Sequence, residues 1–145
     1  MYRTIVVGTD CSPTAARAVE KAAELARLTG AKLYLVSAVS ESVTALAAAS
    51  GASVLVNDWV GATIQDQTVR VDEIAERLRA QGIDVETWID RGSAADALVS
   101  AAEQLRADVL VVGDRGLKGI RGLLASVPSR VTHRVHTDVL VVHTT

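Results

Sequence analysis

Phenylalanine is absent from this chain, and its aromatic residues are Tyr2, Tyr34, Trp59 and Trp88. A core must therefore be assembled from Val, Leu, Ile and Ala. Cys11 is the single cysteine, which excludes an internal disulfide framework and agrees with a reducing compartment. Basic charge is scarce. Fifteen Lys and Arg face 17 Asp and Glu, a net charge of −2 with a pI near 5.9, so the basic surface that general nucleic-acid binding requires is missing. The longest uncharged stretch, between Glu41 and Asp58, is broken by Ser, Thr and Gly and is too short for a spanning helix. The opening MYRTIVVGTD reaches Asp10 before a signal-peptide apolar region develops. The expectation is a cytoplasmic protein with neither nucleic acid nor membrane as partner. Two common phosphate signatures are also missing: no Gly-Lys-Ser/Thr of a Walker A loop, and no Gly-x-Gly-x-x-Gly after the first strand.

What is present is a globular composition, 49% hydrophobic and 22% charged, in 145 residues, the size of one domain. Residues 3–9 (RTIVVGT) read as a strand buried on both faces, because its β-branched run lacks polar alternation. Ser12 and Pro13 read as the N-cap and first residue of a helix to about residue 28, stopped by Thr29-Gly30. A second apolar strand spans 32–38. Residues 39–58 are the least patterned: 45–49 suit a helical turn, 52–56 a strand or loop, and the whole stretch a flap. Helical spacing of Ile64, Val71, Ile74, Ala75 and Leu78 predicts a helix over 58–80, ended by Gly82. Residues 84–90 alternate as an edge strand. Ser93 with Asp96 opens a further helix to about residue 106. A strand at 108–113, a helix at 126–136 and a strand at 138–143 complete the order. Strict alternation of strands and helices implies a doubly wound parallel α/β sheet. Asp108-Val-Leu-Val-Val and Asp138-Val-Leu-Val-Val echo one another and read as two strands of equal burial.

The most suggestive stretch is residues 109–132, VLVVGDRGLKGIRGLLASVPSRVT. A strand ends in Gly113, glycines recur at Gly116, Gly119 and Gly122 with Arg115, Lys118 and Arg121 ahead of them, and Ser126-Val127-Pro128 reads as a helix start. Glycines permit close backbone approach, and a helix start offers free N–H groups to an anion. A phosphate cradle and a plain surface loop both satisfy this pattern. Ligands of an open parallel sheet bind beyond the carboxyl ends of the strands, where strand order reverses. Asp10, just past the first strand, could meet ribose hydroxyls or cap the helix beside Ser12. Cys11 near a helix start could be a thiol of lowered pKa or a plain small residue. His133 and His136 lie three apart without a carboxylate-rich set, so no metal site is assigned, and no catalytic residue is assigned either.

The element order and these motifs resemble the universal stress protein family across essentially the whole chain. Its ATP-binding members carry Gly-x2-Gly-x9-Gly-[Ser/Thr] after the fourth strand, and its opening Val-Asp-Gly-Ser corresponds to Thr9-Asp10-Cys11-Ser12 here. The ending Asp138-Val-Leu-Val-Val-His-Thr-Thr is similar to that of actinobacterial members. Gly113 and Gly116 match the first two glycines. The third does not match: the loop is one residue short and Ala125 stands ahead of Ser126. The resemblance implies one three-layer α/β/α domain over 1–145 with a five-stranded parallel sheet in the order 3-2-1-4-5, the adenine nucleotide alpha hydrolase-like architecture. It also implies a nucleotide site in which Thr9 and Ala38 frame the base and Asp10 meets the ribose. Gly113, Arg115, Gly116, Ala125, Ser126 and Val127 would surround the phosphates. The implied function is a stress-response sensor or regulator that binds ATP, AMP or cyclic AMP, with Mg²⁺ as a companion of ATP. It would be a homodimer through the last strand, acting on a regulatory protein partner. A slow ATP hydrolase at the same site and a nucleotide-free dimeric interaction protein are the alternatives.

Overall fold

A computed structural model of the chain describes residues 1–39, 53–114 and 137–143, with 53–63 described as backbone. The elements are β1 (Thr4–Gly8), α1 (Pro13–Thr29), β2 (Lys32–Val39), α2 (Ser53–Ala80), β3 (Val85–Arg91), α3 (Ala94–Gln104), β4 (Val109–Gly113) and β5 (Asp138–Val142). All strand pairs are parallel, and the sheet order is β3-β2-β1-β4-β5. The expected fold class and strand order hold.

Alternation along the strands divides the core in two. Ile5, Val7, Leu33, Leu35, Val109 and Val111 face α1 and α2, which contribute Val19, Ala22, Val71, Ala75 and Leu78. Val6, Val36, Leu110 and Val112 face α3, which contributes Ala97, Leu98 and Ala101. Without phenylalanine, both helix faces rely on alanine to bring backbone close to the sheet. At Gly8 an added Cβ would stand 3.0 Å from both Leu98 methyl carbons, so the glycine is what lets α3 lie against β1.

Helix ends follow the sequence signals. Ser12 accepts from the Ala15 N–H at 3.2 Å and Ser93 from the Asp96 N–H at 3.1 Å, each cap being worth about 1 kcal/mol. Gly30 ends α1 in the left-handed conformation, φ 71°. Two expectations fail. The strand-or-loop reading of 52–56 is overturned for Ser53 onward, because α2 begins there. Val54 and Val56 favour a strand in isolation, but extending an established helix takes less than nucleating a new element. The echo of β4 and β5 does not bring equal burial either. Val109 to Val112 are buried, whereas Val139, Leu140 and Val141 are 48, 41 and 44% exposed. An edge strand has a neighbour on one side. The expected helix at 126–136 and the expected turn at 45–49 lie outside the described residues.

The two echoed aspartates share a different task. Asp108 Oδ2 accepts from the Arg3 and Thr4 N–H groups at 2.7 and 2.9 Å, and Asp138 Oδ2 accepts from the Tyr2 hydroxyl at 2.8 Å. Both pin the first residues of the chain beneath the sheet. The backbone bonds from Arg3 and Thr4 hold the Asp108 carboxyl below its ordinary pKa.

Two predictions follow from these contacts. A carboxyl whose folded pKa is depressed adds stability that is complete above its ordinary value and is lost as pH falls through the folded one. Wild type should melt above Asp108→Asn at neutral pH, and the gap in Tm should close on acidification below about pH 4. Thermal melts of both proteins from pH 7 to 3 check this. Cys11 has φ 64°, a conformation costly for side chains and most costly for β-branched ones. Cys11→Val should cost about 1–2 kcal/mol, while Cys11→Gly should stay within about 0.5, as relief of strain offsets glycine's chain entropy. Urea unfolding curves measure both.

Candidate crevice at the carboxyl ends of β1 and β4

Strand β1 pairs with β2 on one side and β4 on the other, with Val7 level with Leu35 and with Val111. The chain leaves β1 towards α1 on one face, and the connection carrying α3 crosses the other face before β4. Strand order therefore reverses between β1 and β4, and their carboxyl ends stand side by side, where an open sheet forms its crevice. This is the juxtaposition expected of the two strand ends.

The turn from Thr9 to Ser12 is a relay of hydrogen bonds. The Thr9 N–H extends the ladder to the Val36 carbonyl at 2.9 Å, and its buried Oγ1 accepts from the Cys11 N–H at 3.0 Å. Asp10 Oδ1 accepts from the Ser12 N–H at 2.9 Å. Ser12 then receives the Ala15 N–H on Oγ and the Ala16 N–H on its carbonyl, and Pro13 has no N–H to offer. The donors at the start of α1 are thus largely consumed within the turn, and its dipole end offers little to a phosphate. The helix cap is Ser12; Asp10 supports it by accepting the Ser12 N–H through one oxygen, and its side chain remains exposed. A carboxylate has a second oxygen and further lone pairs for a vicinal diol.

The surroundings of Cys11 decide between its two readings in favour of a plain small residue. Burial pushes its thiol above the ordinary pKa, and nearby Arg70 opposes this less strongly. A position next to a helix start does not make it a thiolate, because the free N–H groups that would stabilise one are already bonded. Its left-handed φ explains why a glycine suits this position.

Sequence reasoning missed two contacts. Gln67 Nε2 donates to Ser37 Oγ at 2.7 Å and lies 3.8 Å from Cys11 Sγ, joining α2 to the ends of β1 and β2. The signal was there: Gln67 interrupts the apolar stripe of α2, and Ser37 interrupts an apolar strand. At the end of β4, the Asp114 N–H donates to the Val142 carbonyl at 2.9 Å, and Asp114 Oδ2 lies 3.1 Å from His143 Nδ1. The His143 side chain is 89% exposed, so this pair adds little stability by itself.

Of the sequence-predicted site residues, Thr9, Asp10 and Ala38 lie at the ends of β1 and β2, and Gly113 ends β4. Arg115, Gly116, Ala125, Ser126 and Val127 lie outside the described residues, as do His133 and His136. An open groove of about 590 Å³ runs along the outside of α1, lined among others by Arg17, Lys21, Arg27 and Arg77. Val142 and His143 at the end of β5 also line it, and Thr9, Asp10, Ala38 and Gly113 take no part in it. Among the described residues no three His, Cys, Asp or Glu side chains are grouped as metal ligands, and no helix is long and apolar enough to cross a membrane.

This geometry is shared with known proteins. A family model for the universal stress protein family matches residues 1–143. A universal stress protein of Mycobacterium tuberculosis is 38% identical over 149 residues, spanning 99% of this chain and 98% of that one. One from Methanocaldococcus jannaschii is 32% identical, covering 98% and 82% respectively. Among solved structures, a universal stress protein in complex with cAMP is 36% identical, with a TM-score of 0.66 over 99% of this chain and 98% of its own. A universal stress protein from Archaeoglobus fulgidus in complex with dAMP has the same fold, with a TM-score of 0.56, 23% identity and 97% of each chain covered. With the family model spanning nearly every residue and the sheet order agreeing, the chain belongs to the universal stress protein family.

Proposed function

We propose that this protein binds an adenine nucleotide in the crevice between β1 and β4 and acts as a cytoplasmic stress-response sensor or regulator. The observation that carries the reading is Asp10. It stands exposed at the strand-order reversal, held by the Ser12 N–H through one oxygen, in a chain 36% identical to a universal stress protein solved with cAMP. In this reading the backbone of Thr9 and Ala38 frames the base and Asp10 accepts from the ribose. Because the start of α1 is satisfied internally, the phosphates belong on the β4 side, with Gly113, Arg115, Gly116, Ala125, Ser126 and Val127. ATP, AMP and cyclic AMP are the candidate ligands, and Mg²⁺ would accompany ATP by sharing its phosphate charge. The signal would pass to a regulatory protein partner.

The exposed β5 favours an added element, a homodimer through this edge. Val139, Leu140 and Val141 present half-exposed apolar side chains on a strand that, among the described residues, pairs with β4 alone, and a second copy would cover them. The same surface supports a second reading, a dimeric interaction protein that binds no nucleotide.

Calorimetric titration with ATP, AMP and cyclic AMP separates the two. Heat with at least one ligand is expected, and its absence with all three selects the second reading. Asp10→Asn keeps an acceptor for the Ser12 N–H but removes the charge, so affinity should fall about tenfold or more with Tm little changed. Unaltered affinity would remove Asp10 from the site. Leu140→Asp should convert a dimer to a monomer in light scattering, and a wild type that is already monomeric would refute the β5 interface.

A further inference from the structure

Gln67 is a half-buried polar residue of α2, one turn before the buried Val71, and its place there needs a reason. Its amide nitrogen has two hydrogens and two neighbours, Ser37 Oγ at 2.7 Å and Cys11 Sγ at 3.8 Å. Ser37 is 2% exposed, so its hydroxyl has little access to water and depends on this bond. Each neighbour adjoins a crevice residue: Ser37 precedes Ala38 at the end of β2, and Cys11 follows Asp10 after β1.

We propose that Gln67 is a positioning residue for the base-and-ribose side of the crevice, setting the spacing between Ala38 and Asp10 from behind without touching the ligand. This rests on the nucleotide reading above. The Thr9 N–H bond to Val36 ties the same two strand ends through the backbone, and Gln67 adds a tie through side chains from a third element. Loss of the amide would leave Ser37 buried without its donor and free the Cys11 turn, already in a left-handed backbone, to shift Asp10.

Gln67→Met keeps the length of the side chain and removes its hydrogen bonds, and Ser37→Ala removes the same bond from the other end. Titration of wild type and both variants with cyclic AMP and with adenosine tests the assignment. Each variant should bind both ligands about fivefold more weakly, with a Tm within a few degrees of wild type. The double variant should be no weaker than either single one, because both act through one bond. Cys11 should also react faster with an aromatic disulfide reagent in Gln67→Met. Wild-type affinity in Gln67→Met, a loss confined to cyclic AMP, or a loss that follows a large fall in Tm in both variants would overturn the role. A wild type that binds neither of these, nor ATP or AMP, instead overturns the nucleotide reading itself, and the positioning role with it.

Discussion

The double pairing of β1 is the constraint on which the rest of the molecule depends. Five short residues, Thr4 to Gly8, carry strands on both edges and helices on both faces. A strand so enclosed must be apolar throughout, and Ile5, Val6 and Val7 are without solvent exposure. Its carboxyl end is then the place where the chain turns out of the core with neighbours leaving in opposite directions. The crevice is a by-product of that geometry, and the Thr9–Ser12 turn is what gives it chemistry.

Much of the fold was legible because its signals are local and repeated. Ser12-Pro13 and Gly30 bracket α1, Ser93 opens α3, and the uninterrupted apolar runs of β1 and β4 announce strands enclosed by helices. Where the sequence misleads, the cause lies beyond the local window. Asp138 to Val142 has the same letters as Asp108 to Val112, yet among the described residues it is paired on one side and β4 on both, a difference that no letter records. Val54 and Val56 favour extended backbone one residue at a time, while α2 is decided by the anchored turns that follow, from Val71 to Leu78.

The candidate site was legible in its placement. Asp10 and Gly113 were singled out as neighbours of strand ends, where an open sheet places its ligands, and the structure puts them there. For Cys11 the sequence left a lowered-pKa thiol and a plain small residue both open, and its surroundings decide for the second: nearby N–H donors are taken by Thr9 and Asp10, and burial raises its pKa. Gln67 and Ser37, thirty residues apart, meet through packing between α2 and β2. Spacing shows that each is out of place, and the fold shows that they answer one another.

Asp108 and Asp138 hold residues 2–4 across separations of up to 136 positions. On a ribosome the chain emerges from its amino end, so β1 is made before every other strand but gains its second neighbour only when β4 appears. The β1–β2–β3 half can assemble early, yet its free edge is the one that β4 must later occupy. Until residues 108–113 have been synthesised, the strand that carries Ile5, Val6 and Val7 has an open side, and nascent chains stalled before that point are the ones most exposed to mispairing and to chaperone capture.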